Sequence, residues 1–329
     1  MRRVTLADVA RAAGVAKATA SRALSADHPE VGEATRTRIQ EIAKELGYQP
    51  SRVAQALRTG RFRLIVLHVS PADSGWAGVL SGAMAEAERH GYQVLVRPVG
   101  PDGSMPPQDP AELPIDGTIL VGPVRTPSGG DRSRPVIVVD EDLVDPEATI
   151  VRTANWSAGY QAGRYLMRQE RTSVVVLLPH NAASGARARA AGCQSAFAEA
   201  GLKFSSDRIV EVGADAHVAV DHGPRFDALF SCSDDLTLAA LGSLRRAGRR
   251  IPEDVAVVCF GDERTARLAE PSLAAVPRPL PELGARAVQL LVRAIEGAPE
   301  PPEVHELPVR LMPGAADDRS AREPADIRP

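Results

Sequence analysis

The sequence predicts a small all-α module followed by a large α/β core built as two doubly wound parallel-sheet lobes. Three observations predict it. Three short helical patterns punctuated by glycines fill the first fifty residues, and from Leu64 onward strand-length apolar runs alternate with helical patterns. The chain of 329 residues is also too long for one small domain and suits a small module plus a two-lobed core, with 44% apolar residues to fill it.

The elements follow in order. Thr5-Leu6-Ala7-Asp8 reads as a capping box, in which the Thr hydroxyl and the acid three residues on satisfy backbone donors at a helix start. Leu6, Val9, Ala10 and Ala13 then repeat at helical spacing and form one apolar face. Gly14 breaks this helix, Val15 anchors the turn, and Lys17–Leu24 forms a second helix. At about 100° per residue, Lys17, Ala18, Ser21 and Arg22 span an arc of roughly 140°, while Ala20, Ala23 and Leu24 fall in the adjacent arc. Ile39, Ile42, Ala43 and Leu46 form the inner stripe of a third helix that Gly47 ends. Three short helices about a tight Gly turn make a helix-turn-helix headpiece, whose second helix enters a DNA major groove. A plain three-helix bundle with a basic surface is the alternative.

Charge supports the first reading. Residues 1–61 hold 11 Lys/Arg against 6 Asp/Glu, a net of +5, which leaves −8 for the remainder. A basic end on an acidic body directs only the N-terminus toward a polyanion. Aromatic residues at 4% argue against a stacking surface for single strands. The apolar runs, such as Ser173–Leu178 and Val255–Phe260, are strand-length and exclude a membrane span. Met-Arg-Arg-Val-Thr lacks the apolar core of a secretion signal, and Cys193, Cys232 and Cys259 lie far apart with no C-x-x-C spacing. A reduced, cytoplasmic chain with no metal and no cofactor is therefore expected.

VTLADVARAAGVAKATASRAL, followed by VGEATRTRIQEIAKELGYQPSRVAQALRTGR, resembles the headpiece and hinge of the lac-repressor family, the LacI/GalR regulators, almost without gaps from Val4 to Arg61. The resemblance places Lys17, Ala18 and Arg22 at base-reading sites. Their chemistry suits the role, since Arg or Lys bonds guanine O6/N7 and Ala approaches a thymine methyl. It places Thr5, Thr19, Ser21, Thr35 and Arg36 at phosphate-holding positions, which set register and supply the salt-sensitive part of affinity. Ala16 departs from the usual Ser, so one cap or phosphate contact is expected to be lost. Ser51–Arg58 matches the family's hinge helix, with Arg52, Val53, Ala54 and Leu57 in the minor groove and Leu57 wedged between base pairs. A helix that short folds only on DNA.

In the core, strands are expected at 64–69, 92–97, 117–122, 135–140, 173–178, 208–212, 228–232 and 255–260. Helices are expected at 77–90, 157–169, 187–200, 235–247 and 281–295. Crossovers near 150–154, 276–279 and 309–314 give the periplasmic-binding-protein-like architecture that the resemblance implies. FDALFSCSDDLTLAALGSLRRAGRRIPEDVAVVCFGDE carries that likeness best, and RARAAGCQSAFAEAGL next. The resemblance implies an effector site with Arg189 gripping a hydroxyl or carboxylate, and Trp76 in the first βα loop. Ser233 stands there where members carry Asn, and Gly261 where they carry a sugar-binding Asp. Trp76 reads equally well as an indole packed at a lobe edge, and Arg189 as a salt-bridge residue. Six prolines in 98–114 exclude the helix common there, and 122–134 and 213–225 also lack helical periodicity.

The expected organisation is a headpiece at 1–48, a hinge at 49–61, an effector-binding and dimerisation core at 62–312, and a disordered tail at 313–329. The expected partners are a double-stranded DNA operator, a second copy of the chain, and a small-molecule effector, a sugar or related metabolite. No leucine heptad suggests a higher oligomer, and a palindrome read by two headpieces requires a dimer. The loss of two polar ligands leaves an alternative open, in which the core only dimerises. An enzyme is disfavoured by the absence of G-x-S-x-G, H-E-x-x-H, a Walker loop or G-x-G-x-x-G after a strand. An uptake solute-binding protein is disfavoured by the basic headpiece.

Overall fold

The computed structural model describes residues 4–24, 31–48, 60–71, 75–100, 103–105, 114–124, 134–140, 148–180, 182–213, 225–298 and 301–314. The chain divides into two compact units between Arg63 and Leu64.

The first unit holds α1 (Leu6–Ala12), α2 (Lys17–Ala23) and α3 (Glu33–Glu45). The capping box closes through one carboxylate: Asp8 Oδ2 accepts from the Thr5 amide at 3.0 Å and from its hydroxyl at 2.7 Å. Gly14 takes φ +66°, which lets the chain reverse between α1 and α2 without Cβ strain. Val9, Ala10, Ala13, Ala20, Ala23, Ile39 and Ala43 form the core. Small residues on α1 and α2 let the helices approach closely. Leu46, expected on the inner stripe, is instead 39% exposed, because it caps α3 beyond the last turn that faces α1 and α2.

The second unit is two lobes. Lobe 1 contains β1 (Leu64–Val69), α4 (Trp76–Arg89), β2 (Gln93–Pro98), β3 (Gly117–Val121), β4 (Val136–Val139) and β5 (Thr149–Thr153). Lobe 2 contains α5 (Asn155–Arg168), β6 (Val174–Pro179), α6 (Ser184–Glu199), β7 (Ile209–Val212), β8 (Ala228–Ser231), α7 (Asp234–Arg246), β9 (Ala256–Gly261), α8 (Glu263–Leu268) and β10 (Ala274–Pro277). The chain then returns to lobe 1 for α9 (Leu280–Ile295) and β11 (Val304–Leu307). Both sheets are wholly parallel, in the orders β11-β5-β4-β3-β1-β2 and β10-β9-β8-β6-β7.

Each expected strand lies within about a residue of an observed one. β5, β10, β11 and α8 were not expected as elements. The first three are four or five residues long and carry polar residues or proline, and α8 is too short to show a stripe. The expected helices at 157–169 and 187–200 begin earlier, at Asn155 and Ser184. Residues 51–59, most of 98–114 and 122–134, 214–224 and 315–329 lie outside the described residues, and with them the hinge, the proline-rich stretch and the tail.

The central strands of each sheet are buried on both faces, as parallel sheets require, while the edge strands β2, β7 and β11 are mostly half-buried or exposed. In lobe 1, Ile65, Leu67, Ile119 and Ile137 pack on α4 and α9, while Leu120, Val138 and Ile150 face the other way. In lobe 2, Val174, Val176, Phe230 and Val258 pack on α5 and α6, while Leu177, Leu229 and Val257 pack against α7 and α8. A buried side chain of this size contributes about 1.5–3 kcal/mol.

Glycines bring one helix pair in each lobe into backbone contact. A Cβ on Gly82 would lie 1.8 Å from Pro281 O, and one on Gly284 would lie 1.9 Å from Val79 O, between α4 and α9. Between α5 and α6, a Cβ on Gly159 would lie 1.7 Å from Arg189 O, and one on Gly192 would lie 2.0 Å from Trp156 O. Three crossovers join the lobes, at Ala154, at Arg278–Pro279 and at 308–311. The last is fixed by Gln161, whose Nε2 donates to Val309 O and whose Oε1 accepts from Leu311 N, both at 3.0 Å.

Candidate nucleic-acid interface and ligand cleft

On α2, Ala20 and Ala23 turn into the headpiece core, so the helix period forces Lys17, Ala18 and Arg22 outward, and all three are exposed. Thr19 and Ser21 are half-buried on its flanks. Thr5 is exposed at the start of α1, and Thr35 and Arg36 lie in the first turn of α3, exposed and half-buried respectively. Ala16 occupies the N-cap of α2 and offers no side-chain hydrogen bond, as its methyl dictates. Arg52, Val53, Ala54 and Leu57 lie outside the described residues.

In the second unit, polar groups gather where the strands of both sheets end, the place where open parallel sheets bind ligands. Close packing of Gly159 under the Arg189 carbonyl sets α6 against α5. The Arg189 side chain then reaches back to donate from Nη1 to Asn155 Oδ1 at the start of α5. Its Nη2 donates to Cys232 O at 3.2 Å, and its guanidinium lies 3.8 Å from the centroid of the Phe260 ring. Burial draws Arg189 below the ordinary guanidinium range.

Ser233 and Gly261, expected as weakened ligands, have definite uses. Ser233 is the N-cap of α7, its Oγ accepting from Leu236 N at 3.3 Å. Gly261 makes room for a neighbour. A Cβ there would lie 2.3 Å from Asp234 Oδ1 and 2.4 Å from Oδ2, so the Asp234 carboxylate fills the space a side chain at 261 would need. Both of its oxygens accept from the Asp262 amide at 3.0 Å, and burial raises its pKa against that bond and one from Thr265. Trp76 opens α4 and packs half-buried on the lobe-1 core, beside the residues that pack with Leu80 and Leu280.

Two residues that sequence reasoning missed complete the cleft. Asp140 follows β4, and Arg278 begins the second crossover. Nε and Nη2 of Arg278 donate to Asp140 Oδ2 at 3.1 and 2.5 Å, while Oδ1 accepts from the Thr153 amide and hydroxyl at 3.0 and 2.9 Å. Burial opposes the Asp140 charge, but Arg278 and Thr153 outweigh it and hold the carboxyl below its usual range. Gly75 leaves space for this arginine, since a Cβ there would lie 2.6 Å from Nη1. The available signal was positional: in VIVVD and AAVPR a charged residue directly follows an apolar strand.

Two family models match the chain: bacterial regulatory proteins of the lacI family over residues 5–51, and the periplasmic binding protein-like domain over residues 163–316. The HTH-type transcriptional regulator CelR of Thermobifida fusca is 32% identical over 335 residues, covering 94% of this chain and 97% of the relative. The regulator PtxS of Pseudomonas plecoglossicida is 29% identical, with 94% of each covered. Among solved structures, a CelR–cellobiose complex shares 27% identity at a TM-score of 0.66, covering 95% of this chain and 99% of that one. The lac repressor dimer bound to operator and the anti-inducer ONPF matches in fold, with a TM-score of 0.76 at 20% identity over 95% of this chain and 98% of that one. Together these define a helix-turn-helix transcriptional regulator with a periplasmic-binding-protein-like core. The chain belongs to the lacI family of bacterial regulatory proteins. The relatives named are regulators rather than enzymes, and among the described residues no helix is long and apolar enough to cross a membrane.

Proposed function

We propose that the chain is a cytoplasmic, non-catalytic repressor that binds a palindromic double-stranded operator as a homodimer and is modulated by a small-molecule effector held between its lobes. The observation that carries this reading is the division of α2, with Lys17, Ala18 and Arg22 outward and Ala20 and Ala23 inward. Lys17, Ala18 and Arg22 read bases, and Thr5, Thr19, Ser21, Thr35 and Arg36 hold phosphates. Arg52, Val53, Ala54 and Leu57 of the hinge enter the minor groove, with Leu57 as the wedge. The working division is a headpiece at 1–48, a hinge at 49–61, a core at 62–312 and a tail at 313–329.

Arg189, Ser233, Gly261 and Trp76 mark the effector site, with Asp140, Arg278, Asp234 and Asn155 around it. Effector binding changes operator affinity only to the extent that it favours one arrangement of the lobes over another. That the CelR structure holds cellobiose supports a ligand in this core.

The test is selection of bound sequences from a random double-stranded library with the full-length protein. The expected product is a palindrome with a central C-G step, lost on Leu57→Ala. No enriched motif at low salt would refute the reading.

A further inference from the structure

Each of the three crossovers between the lobes is held by a side chain. The third is tied to lobe 2 by Gln161. The first two are tied to a single carboxylate of lobe 1. Thr153 ends β5 and directly precedes the crossover at Ala154, and it donates its amide and its hydroxyl to Asp140 Oδ1. Arg278, on the second crossover, donates Nε and Nη2 to Oδ2. These four bonds fill both Asp140 oxygens to about the capacity of a carboxylate, and all of them come from residues at the first two crossovers.

The backbone at Asp140 is as constrained as its side chain. Asp140 stands at φ +60°, in the left-handed region that favours glycine, and a larger residue persists there only where its surroundings over-determine it. Its amide donates to Val151 O at 2.8 Å, so main chain and side chain both grip the strand that leads into the first crossover. Thr153 is fully buried and Asp140 and Arg278 are nearly so.

We infer that Asp140 is the positioning residue of the hinge: it fastens two of the three crossovers together, holds the lobes in one arrangement, and has to release Arg278 before that arrangement changes. The main chain of Arg278 travels with lobe 2, because its amide is bonded to Gly261 O, whereas Asp140 is fixed in lobe 1 between β4 and β5. Rotation of one lobe against the other therefore draws the guanidinium away from the carboxylate, and the bonded pair and the rotated state exclude each other. The pair is charge-assisted and shielded from solvent, so salt screens it little. Its consequence for DNA rests on the reading of the core as the part that modulates operator binding; the fastening itself stands on the contacts alone.

The test is a distance measurement by pulsed electron spin resonance on the full-length protein. Spin labels go on Glu88→Cys of α4 and Arg168→Cys of α5, one exposed position on each lobe. Cys193, Cys232 and Cys259 are buried and do not compete for label. Labelled chains are diluted in an excess of unlabelled chains, so that only distances within one chain are read. A second pair, Arg168→Cys with Leu238→Cys, lies within lobe 2 and reports its integrity. The otherwise unaltered chain is expected to give one narrow distance between the lobes. Asp140→Asn and Arg278→Gln, each alone, are expected to shift or broaden it by more than about 2 Å while the pair within lobe 2 stays as it was. Arg278→Lys, which keeps the charge but loses the fork, should fall between. A broad distribution before any hinge substitution, or an unmoved distance in both variants, overturns the inference. So does an equal change within lobe 2, which means lost packing rather than a released hinge. Operator binding by the same variants separates this inference from the functional reading. A moved lobe with a change of about fivefold or more in operator Kd supports both. A moved lobe with unaltered Kd upholds the fastening and refutes control of DNA binding by lobe arrangement.

Discussion

Asp140 and Arg278, 138 residues apart, form an ion pair with side chains only 9% and 15% exposed. Asp140 stands at φ +60° at the end of a lobe-1 strand, while the Arg278 amide donates to Gly261 O of lobe 2 at 3.0 Å. One residue thus holds lobe 2 through its backbone and lobe 1 through its side chain. Removing one partner strands the other's charge, so Arg278→Ala is expected to destabilise the core by about 3 kcal/mol in urea unfolding. The double replacement Asp140→Leu with Arg278→Met should recover much of that loss. A simple sum of two penalties would show that the two side chains act independently of each other. Because the folded Asp140 pKa is depressed, its contribution is complete above the unfolded carboxylate pKa and falls away as pH drops toward the folded value.

Arg22 and Arg36 should separate in DNA binding. Arg22→Ala is expected to relax preference at one operator position at a cost of about 1–3 kcal/mol. Arg36→Ala should weaken all sequences alike and reduce the salt slope by about one. Anisotropy titrations across salt and operator variants measure both. Equal weakening at every sequence by Arg22→Ala would refute α2 as the reading helix.

Gly261→Ala places a methyl against the Asp234 carboxylate, which must then leave the Asp262 amide. The expected cost is about 1–3 kcal/mol, recovered in part by adding Asp234→Ala. Thermal unfolding of the two variants decides, and a silent Gly261→Ala would show that the carboxylate moves aside freely.

His68 lies fully buried on β1 in register with Arg97 of β2; burial first, and the Arg97 charge second, hold its pKa at about 4 against an ordinary 6.5. The unfolded chain therefore takes up this proton first as pH falls. The contribution is whole above about 6.5 and is lost between there and 4, about 2 kcal/mol of it by pH 5. Urea unfolding of His68→Leu should lack that portion of the pH dependence.

Gly159→Ala and Gly242→Ala should act in opposite directions. The first drives a methyl into the Arg189 carbonyl and is expected to cost about 3 kcal/mol or prevent folding. The second, on α7, meets only the Arg246 head at 3.4 Å and should stabilise by about 0.5–1 kcal/mol. Melting temperatures of the two proteins check the contrast.

The headpiece was legible because apolar residues repeat at helical spacing within each helix, as Val9 with Ala10 and Ala13, Ala20 with Ala23, and Ile39 with Ala43, which leaves Lys17, Ala18 and Arg22 on one arc. The long strands were legible as runs such as VVVLL and AVVCF. β5, β10 and β11 were not, since TIVRT, AAVP and VHEL are too short to show a period and take their strand form from neighbours already in place. The ligand cleft was legible only in part. Arg189 stood out by resemblance, but the roles of Asp140 and Arg278 arise from a contact across 138 residues that no local pattern encodes. The use of Gly261 depends on where Asp234 turns, which its sequence neighbours do not reveal.

The glycine-seated helix pairs have a mechanical consequence. With α4 locked to α9 and α5 to α6 at backbone distance, each lobe is a stiff lever that cannot bend internally to accommodate a guest. Compliance is left to three short tethers, at Ala154, Arg278–Pro279 and 308–311. Three chains crossing side by side resist sliding and stretching and yield most readily to rotation about their common line. One of the tethers carries Arg278, whose side chain reaches Asp140 in the cleft, so a guest that competed for that carboxylate would pull on the tether itself.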